Sequence, residues 1–495
     1  MHLRPRHRLR RLPLALFTLV LLVLPLTAAA QTTPRGLERV GATDYDLDFT
    51  TRNTEIEIRD DFIYVGSFSP LDENGQSAFK VADVSDPANP TLATYFMLPG
   101  AVLDTKVNGD VDRCGYGENT TGADDPACNT VLATTQGAPD DNDGAWLFDI
   151  RDPATAEPWG YDPAAALGDQ VAFIDREGGS HNGFLFGDYA FLGGIDEASF
   201  EIWDIRPLFG DTPAPPELVA WYSNLEDTRS VRPEVEREES HDLFVQRAPD
   251  GRIFAYVAGP QFYVVDVTDV VEGSTTGDIS DHLVAFNNYI NADGTVTVDG
   301  YTTGSNGHYA EPTDDGAFTY VGDEIQCGDP GIIHIFDTAD LPAVGEEPRL
   351  VEEVGVLDWP TSSANQCSDR NADDASGDHP TGSNRNGETT NYARTGHNFR
   401  IYGDIMTHGA YFDGLYVWDI SDPANPTLLA QYKAAGGQEC SDKRRETPEE
   451  KRLYRLCGSF WQAISDGDAD AVLAGEQYIY GSDRSGGLVV LRLRG

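Results

Sequence analysis

Short apolar runs with strand character recur along the chain, and turns rich in Asp, Pro and Gly separate them. Residues 414–420 read GLYVWDI, an aromatic and β-branched run that favours a strand. Ser421, Asp422 and Pro423 follow, and proline ends a strand because it has no amide proton to donate. The aspartate can accept hydrogen bonds from the turn amides. The pattern predicts strand, tight turn and strand, and hence an all-β protein.

A ten-residue phrase occurs twice. Residues 83–92 read DVSDPANPTL and residues 419–428 read DISDPANPTL, with weaker copies between them. Each copy contains a marker aspartate at the end of its apolar run: Asp83, Asp149, Asp204, Asp266, Asp337 and Asp419. A seventh unit over residues 478–491 keeps the apolar run but has Arg492 in the marker position. The chain is therefore an array of seven like units.

A unit of three or four short strands has no core of its own, and such sheets stack radially into a β-propeller. We predict one seven-bladed propeller over residues 55–495, after a polar N-terminal lead at 31–54. Marker spacings run from 55 residues (Asp149 to Asp204) to 82 (Asp337 to Asp419), so long acidic loop insertions are expected. We expect residues 56–58 or 62–65 to close the ring by pairing with 488–493.

Family features reinforce this fold. Segments 79–87, 263–267 and 414–423 share an apolar strand that ends in Asp. Strand starts with a histidine occur at residues 180–182, 240–242 and 396–398. In these features the chain resembles the LVIVD-repeat family of exported β-propeller proteins over roughly residues 55–495. The resemblance implies the fold and no particular activity.

Residues 1–30 have the organisation of a secretory signal. Five arginines precede an apolar stretch at 14–26, and three alanines at 28–30 offer a cleavage site. A transmembrane helix is the alternative, but the stretch is short of the roughly 20 residues a span needs. We expect an exported protein, secreted or periplasmic, with no membrane insertion; association with the cell surface stays open.

The chain is strongly acidic. It has 82 acidic and 35 basic residues, for a formal net charge of −47. Such a surface repels nucleic acid and anionic lipid, which excludes both as partners. Two explanations stay open: halophilic adaptation, in which salt screens the repulsion, and divalent cations bound by acidic loops.

Six cysteines remain beyond the signal. An even number in an exported chain indicates disulfides, although six cysteines allow 15 connectivities. Sequence neighbours are the natural pairs: Cys114–Cys128, Cys327–Cys367 and Cys440–Cys457.

Four histidines stand at equivalent places, each at the expected start of the innermost strand of its unit: His181, His241, His308 and His397. Equivalent positions converge around a propeller axis, so these imidazoles could hold a transition metal, with Asp242 or His408 nearby. The alternative is that each histidine only fixes a turn within its own blade. His282 and His334 fit no such position. Asp323 and Glu324, at another strand end, are candidates for an acid–base pair.

A calcium loop is the other candidate site. Asp466, Asp468 and Asp470 alternate as hard-cation ligands do, but Gln477 stands where an EF-hand needs its glutamate. Loops 138–144 and 368–378 are similarly acidic, and plain solvated loops are the alternative for all three.

No hydrolase elbow, phosphate-binding loop or His-Glu-x-x-His motif occurs. We therefore predict a monomeric, non-catalytic binding or scaffold module with an unknown protein or small-molecule ligand. Calcium or a transition metal is the only cofactor that the sequence indicates. The alternative is a metal-dependent enzyme that uses the four histidines.

Overall fold

The computed structural model describes residues 35–494 except 46, 48–51, 69–71, 73, 118, 138–142, 177–178, 195–199, 224–239, 260–261, 288–306, 325–331, 359–395, 412, 434–459 and 485. The predicted signal, the loop at 368–378, most of the loop at 138–144 and four of the cysteines (Cys327, Cys367, Cys440 and Cys457) lie outside the described residues. In the part of the chain that is described, no helix is both long and apolar enough to cross a membrane.

The described strands form five hydrogen-bonded sheets. Two of these sheets each join two neighbouring units, so the strands can be divided in chain order into seven four-stranded units. Unit 1 comprises β2 (Arg52–Arg59), β3 (Phe62–Phe68), β4 (Gln76–Asp83) and β5 (Thr91–Pro99). Unit 2 comprises β6 (Ala101–Val107), β7 (Thr130–Gln136) and β8 (Gly144–Asp149), and its fourth strand is split into β9 (Glu157–Pro158) and β10 (Phe173–Asp175). Unit 3 comprises β11 (Asn182–Phe186), β12 (Tyr189–Gly193), β13 (Phe200–Asp204) and β14 (Glu217–Tyr222).

Units 4 to 7 follow the same order, except that the last strand of unit 7 comes from the start of the chain. Unit 4 comprises β15 (Asp242–Arg247), β16 (Ile253–Ala258), β17 (Phe262–Asp266) and β19 (Leu283–Asn287), and unit 5 comprises β20 (Gly307–Pro312), β21 (Phe318–Asp323), β22 (Ile333–Asp337) and β24 (Glu353–Leu357). Unit 6 comprises β25 (Phe399–Tyr402), β26 (Ile405–Ala410), β27 (Gly414–Asp419) and β28 (Thr427–Tyr432). Unit 7 comprises β29 (Phe460–Ser465), β30 (Ile479–Asp483), β31 (Gly487–Leu493) and β1 (Arg35–Thr43).

Short elements complete the described structure. Two strands pair in parallel with outer strands: β18 (Gly277–Asp278) with β14, and β23 (Arg349–Leu350) with β19. The short helices are α1 (Val111–Cys114), α2 (Thr268–Val271) and α3 (Ala469–Ala474), with 3₁₀ turns at Pro153–Thr155, Leu167–Asp169, Arg206–Phe209 and Ser280–His282.

The first strands of the units form a closed ring. Each of β2, β6, β11, β15, β20 and β25 contacts the first strand of the next unit, and β29 contacts β2. Among the described residues there are seven hydrophobic clusters, and each draws its side chains from two adjacent units. The all-β class and the propeller fold are confirmed. The number of blades stays a prediction, which the seven units agree with.

The marker aspartates close the turns that follow their strands. In all six, a carboxylate oxygen accepts the backbone N–H of the residue two positions on, at 2.9–3.0 Å. In the repeated phrase, Asp86 and Asp422 do the same for Ala88 and Ala424 at 3.1 Å. These Asx turns satisfy amides that no strand can pair, which explains why the aspartate recurs.

The ring closes through a strand other than the one expected. Residues 56–58 and 62–65 pair with each other within unit 1. Instead, β1 pairs with β31, with Leu37 opposite Leu493 and Thr43 opposite Leu488. The closing strand therefore comes from the N-terminal lead. Polar residues such as Glu38 hid it, because an outer strand buries only part of its surface.

One predicted disulfide is confirmed. Cys114 and Cys128 are bonded, with Sγ–Sγ 1.97 Å and Cα–Cα 5.2 Å. The bond closes the connection between β6 and β7, which contains α1.

Replacing Leu37 with Ala should lower the free energy of unfolding by about 2–4 kcal/mol, because Leu37 is 7% exposed in the cluster between units 6 and 7. Glu38→Ala is the matched control on the same strand, and it should change stability by less than about 0.5 kcal/mol. Deleting residues 35–43 should also produce oligomers, since the β31 edge is then open. Denaturant unfolding and size-exclusion chromatography measure both effects; equal losses for the two substitutions would mean that β1 does not close the ring.

His334 gives a pH-dependent contribution to stability. Burial alone would lower its pKa, but Asp323 (3.4 Å) and Glu353 (2.6 Å) outweigh burial and raise the pKa to about 9. The contribution should be complete below the unfolded pKa of about 6.5 and lost as the pH rises through about 9. Unfolding free energy should therefore fall by at most about 3 kcal/mol over this window, more steeply in the wild type than in His334→Gln. Parallel pH profiles would contradict this.

Candidate metal-binding site at one end of the channel

Four imidazoles meet at one end of the channel. His181, His241, His308 and His397 belong to units 3, 4, 5 and 6, and the ring centroids of successive pairs lie 4.4, 4.1 and 4.1 Å apart. Trp461 of unit 7 continues the series, 4.2 Å from His397. We call the four histidines the histidine arc. It spans neighbouring units, so its contacts are not confined to single blades.

β-Bulges help to place these side chains. His308 lies in a bulge of β20, between Gly307 and Tyr309, and Trp461 lies in a bulge of β29. At the start of β15, the His241 amide donates to the carbonyl of Ala258, which also faces Asp242. A bulge sets two residues opposite one and re-aims side chains. This explains how His241 and its neighbour Asp242 both reach the arc.

Two carboxylates approach the arc. Asp242 Oδ1 lies 3.0 Å from His241 Nδ1, and its Oδ2 lies 3.8 Å from His308 Nδ1. Glu324, which follows β21, lies 3.6 Å from His308 Nε2. Among the described residues, two groups place three ligand atoms within 4.8 Å of one another: His181–His241–Asp242 and His241–His308–Glu324. Both groups contain His241.

Burial lowers the pKa of three of the four imidazoles, His181, His308 and His397. Burial, and then His241, lower the pKa of His181 to about 3. Burial and neighbouring histidines hold the pKa of His308 and of His397 well below the usual value. The Nδ1 atoms of His308 and His397 are buried and make no hydrogen bond. Neutral rings keep a lone pair available for a ligand.

Residues at the ends of second strands form an outer set around the arc. Gln136 Oε1 lies 3.1 Å from His181 Nδ1. The Tyr411 hydroxyl donates to Glu324 at 2.5 Å, and its ring meets the edge of His397 at 5.2 Å. Tyr411 has a φ of +38°, which L-residues rarely adopt and which is found at functional sites. The sequence singled out Glu324 but missed Gln136 and Tyr411.

Arg484, which follows β30, lies beside the same aromatic residues. Its guanidinium is 5.1 Å from the ring of Trp461 and 5.9 Å from that of Tyr411. It is 6% exposed, and its charge lowers the pKa of His397 and opposes the rise in the pKa of Glu324. A buried cation therefore belongs to this end of the channel, and sequence reasoning did not find it.

A charged layer lies next to the arc, inside the channel. Lys106 Nζ is 2.6 Å from Glu55 and 3.1 Å from Asp104. Asn398 links Glu55 to Asp242 through its amide, which donates to both carboxylates. Burial and the neighbouring Asp104 raise the pKa of Glu55, and Lys106 opposes the rise.

The other predicted residues lie apart from the arc. His408 is buried on β26 beside Phe399 and Tyr416, and burial lowers its pKa to about 3. His282 lies near the turn of Asp266, whose carbonyl is 3.0 Å from its Nδ1.

The acidic loop at 466–470 is divided between local roles. Asp466 is buried after β29, whereas Asp468 caps α3 by accepting the Ala471 amide at 3.0 Å. Asp470 is exposed in the first turn of α3. Calcium binding by Asp466, Asp468 and Asp470 stays a prediction.

The sequence model of the LVIVD repeat matches residues 54–97 and 410–434. The chain carries LVIVD repeats. The predicted resemblance is confirmed over these two segments, which include both copies of the ten-residue phrase. LVIVD-repeat proteins are typically extracellular. No curated protein sequence matches the chain.

Solved structures of low sequence identity resemble the chain. One is the β-propeller domain of Cps50 (Swd1) from Myceliophteria thermophila, with 9% identity, a TM-score of 0.47 and coverage of 92% of this chain and 100% of that chain. Another is the computationally designed Ika8 protein, with 10% identity, a TM-score of 0.40 and coverage of 92% and 100%. Similarity at this level says nothing about function.

Gly409 should be required for the packing at the arc. A Cβ there would lie 2.9 Å from the backbone of Trp461 and Gln462, so Gly409→Ala should cost about 1–3 kcal/mol and perturb the near-UV circular dichroism of the aromatic cluster. Gly210→Ala is the control, because its nearest neighbour atom is 3.7 Å away. Equal stability of the two variants would show that the second strand of unit 6 and the first strand of unit 7 are not packed this closely.

Proposed function

We propose that this protein is a binding module that holds a transition-metal ion at the histidine arc. The propeller fold by itself suggests a binding or scaffold module. The observation that carries the proposal is the set of closely spaced imidazoles within reach of Asp242 and Glu324. His181, His241 and His308 are the ligands, with one or both carboxylates.

A purely structural role for the histidines fits the contacts less well. A histidine that fixes a turn in its own blade would be hydrogen-bonded there. The arc instead contains two buried Nδ1 atoms without a hydrogen bond. A buried polar atom left unsatisfied costs about 1–3 kcal/mol, and a metal ion would supply the missing partner for His308.

The donor set selects the class of ion. Imidazole with carboxylate suits zinc, copper, nickel or iron(II), whereas calcium takes oxygen ligands alone. Around a tetrahedral ion with bonds of about 2.0–2.1 Å, ligand atoms are about 3.3 Å apart. In each of the two groups the ligand atoms lie within 4.8 Å of one another, so binding an ion would draw them closer together.

A metal-dependent enzyme is the second candidate. The side chains of His241 and Glu324 are 20% and 18% exposed, so an ion between them would keep a position open to solvent. Catalytic metals characteristically keep such a position, whereas structural metals are enclosed by protein ligands. The Tyr411 hydroxyl on Glu324 places a proton donor beside that position.

Export is also part of the proposal. The signal-like residues 1–30 support it, and so does the Cys114–Cys128 bond, because disulfides persist in oxidising compartments. The net charge of −47 supports adaptation to high salt.

Elemental analysis of the mature protein, purified without chelators or nickel columns, should find close to one transition-metal ion per chain. His241→Ala should lose it, because both groups of ligands contain His241.

His282→Gln is the matched control, a buried histidine at the turn of Asp266. It should retain the ion. Wild-type protein that contains no metal and takes up none of zinc, copper, nickel or iron(II) on titration would overturn the proposed function.

A further inference from the structure

A lysine and an asparagine meet in the packed interior of unit 1. Lys80 lies on β4 and is 0% exposed, and Asn53 lies on β2 and is 2% exposed. On the strand between them, β3, Val65 is opposite Lys80 and Ser67 is opposite Asn53. Val65 and Ser67 are two positions apart, so the two polar side chains extend from the same face of the sheet. Lys80 Nζ donates a hydrogen bond to Asn53 Oδ1.

A fully buried lysine stands out in this chain. Lysine occurs at five positions: Lys80, Lys106, Lys433, Lys443 and Lys451. Lys80 Nζ contacts the amide oxygen of Asn53 and lies 4.7 Å from the centroid of the Tyr45 ring. Burial lowers the pKa of Lys80 to about 7, so much of its amine is neutral near neutral pH. A neutral lysine shielded from water is a nucleophile.

The Asn53 amide is held in place against this amine. Its Nδ2 donates to the carbonyl of Asp483 at 2.7 Å, and its backbone N–H donates to the carbonyl of Arg484 at 3.0 Å. A carbonyl oxygen is about 1.2 Å from its carbon, so an amine that is hydrogen-bonded to Oδ1 lies next to Cγ. Two groups fixed side by side react as if each were present at very high concentration. Burial of both residues also keeps water, the competing nucleophile, away.

We propose that Lys80 and Asn53 join in an intramolecular isopeptide bond. The amine of Lys80 attacks Cγ of Asn53, the bond from Nζ to Cγ forms, and the bond from Cγ to Nδ2 breaks. A proton of the amine passes to the leaving nitrogen, which departs as ammonia. The step needs no oxidant, reductant or cofactor, and none of the proposed metal ligands takes part.

The cross-link would fasten the first strand of unit 1 to its third strand, across β3. Residues 53 and 80 are 27 positions apart, so a covalent bond between them restricts the unfolded chain as a disulfide does. Strand β2 also contacts β29 of unit 7, where the ring closes. The bond therefore stabilises the unit that completes the ring.

Mass spectrometry of the folded mature wild-type protein tests the proposal. After reduction of the disulfides, the intact mass should be about 17 Da below that of the sequence, because one ammonia is lost. Trypsin does not cut after a lysine whose amine is acylated, so the digest should contain a branched peptide that joins residues 53–59 to residues 60–106. Cleavage after Lys106, which is paired with Glu55 and Asp104, is the internal control. Full mass together with a peptide that ends at Lys80 would overturn the proposal.

Variants assign the bond to this pair. Lys80→Gln and Asn53→Ala should each have the full mass of their sequences. Lys433→Gln, at a side chain 41% exposed, should keep the mass loss. A mass loss that persists in Lys80→Gln or in Asn53→Ala would rule out this cross-link. If either variant fails to fold, the branched peptide of the wild type still decides the question.

The reaction should depend on folding and on pH. Wild-type chain recovered unfolded from inclusion bodies should have its full mass, because only the fold brings the two side chains together. On refolding, the mass loss should appear about tenfold faster at pH 8 than at pH 6, since the Lys80 amine loses its proton near pH 7. A mass loss already complete in the unfolded chain, or equal rates at the two pH values, would contradict attack by this buried amine.

Discussion

The packing of one sheet against the next is the constraint on which this structure depends. A four-stranded unit has two faces and cannot bury either alone, so each hydrophobic cluster is shared by two neighbouring units. Closing the ring gives every unit two neighbours and brings seven first strands close together around an axis. Polar side chains on those strands therefore face one another around this axis, and they form the histidine arc and the Lys106 layer.

Bringing polar side chains together in this way lowers the stability of the fold. The residue types found in the channel therefore indicate what the channel does. The imidazole centroids lie about 4 Å apart, and two of the rings have a buried nitrogen without a hydrogen bond. Tyr411 adds backbone strain at the same end. Apolar residues could fill the same volume without these penalties. We therefore interpret the cluster as a site for a ligand rather than as a means of holding the ring together.

The sequence predicted the fold and the four histidines because both are written as repeats. The marker Asp, the apolar run and the strand-start His recur at visible intervals. The sequence did not predict Arg484 or Tyr411 as site residues, because neither of them recurs in the repeat units. Both reach the arc only through the tertiary fold. The sequence also misplaced the closing strand. β1 has charged residues among its apolar ones, and only its pairing with β31 identifies it as part of the ring.

The pairing of β1 with β31 ties the order of synthesis to the completion of the fold. β1 pairs with residues of β28 and β31, and its antiparallel pairing must wait until residues 487–493 have been made. Contacts between residues far apart in the sequence slow folding, because the entropy of closing the long loop is lost before the favourable contacts form. A polypeptide that ends before residue 487 would lack the antiparallel partner of β1, so this pairing can form only after residues 487–493 have been made.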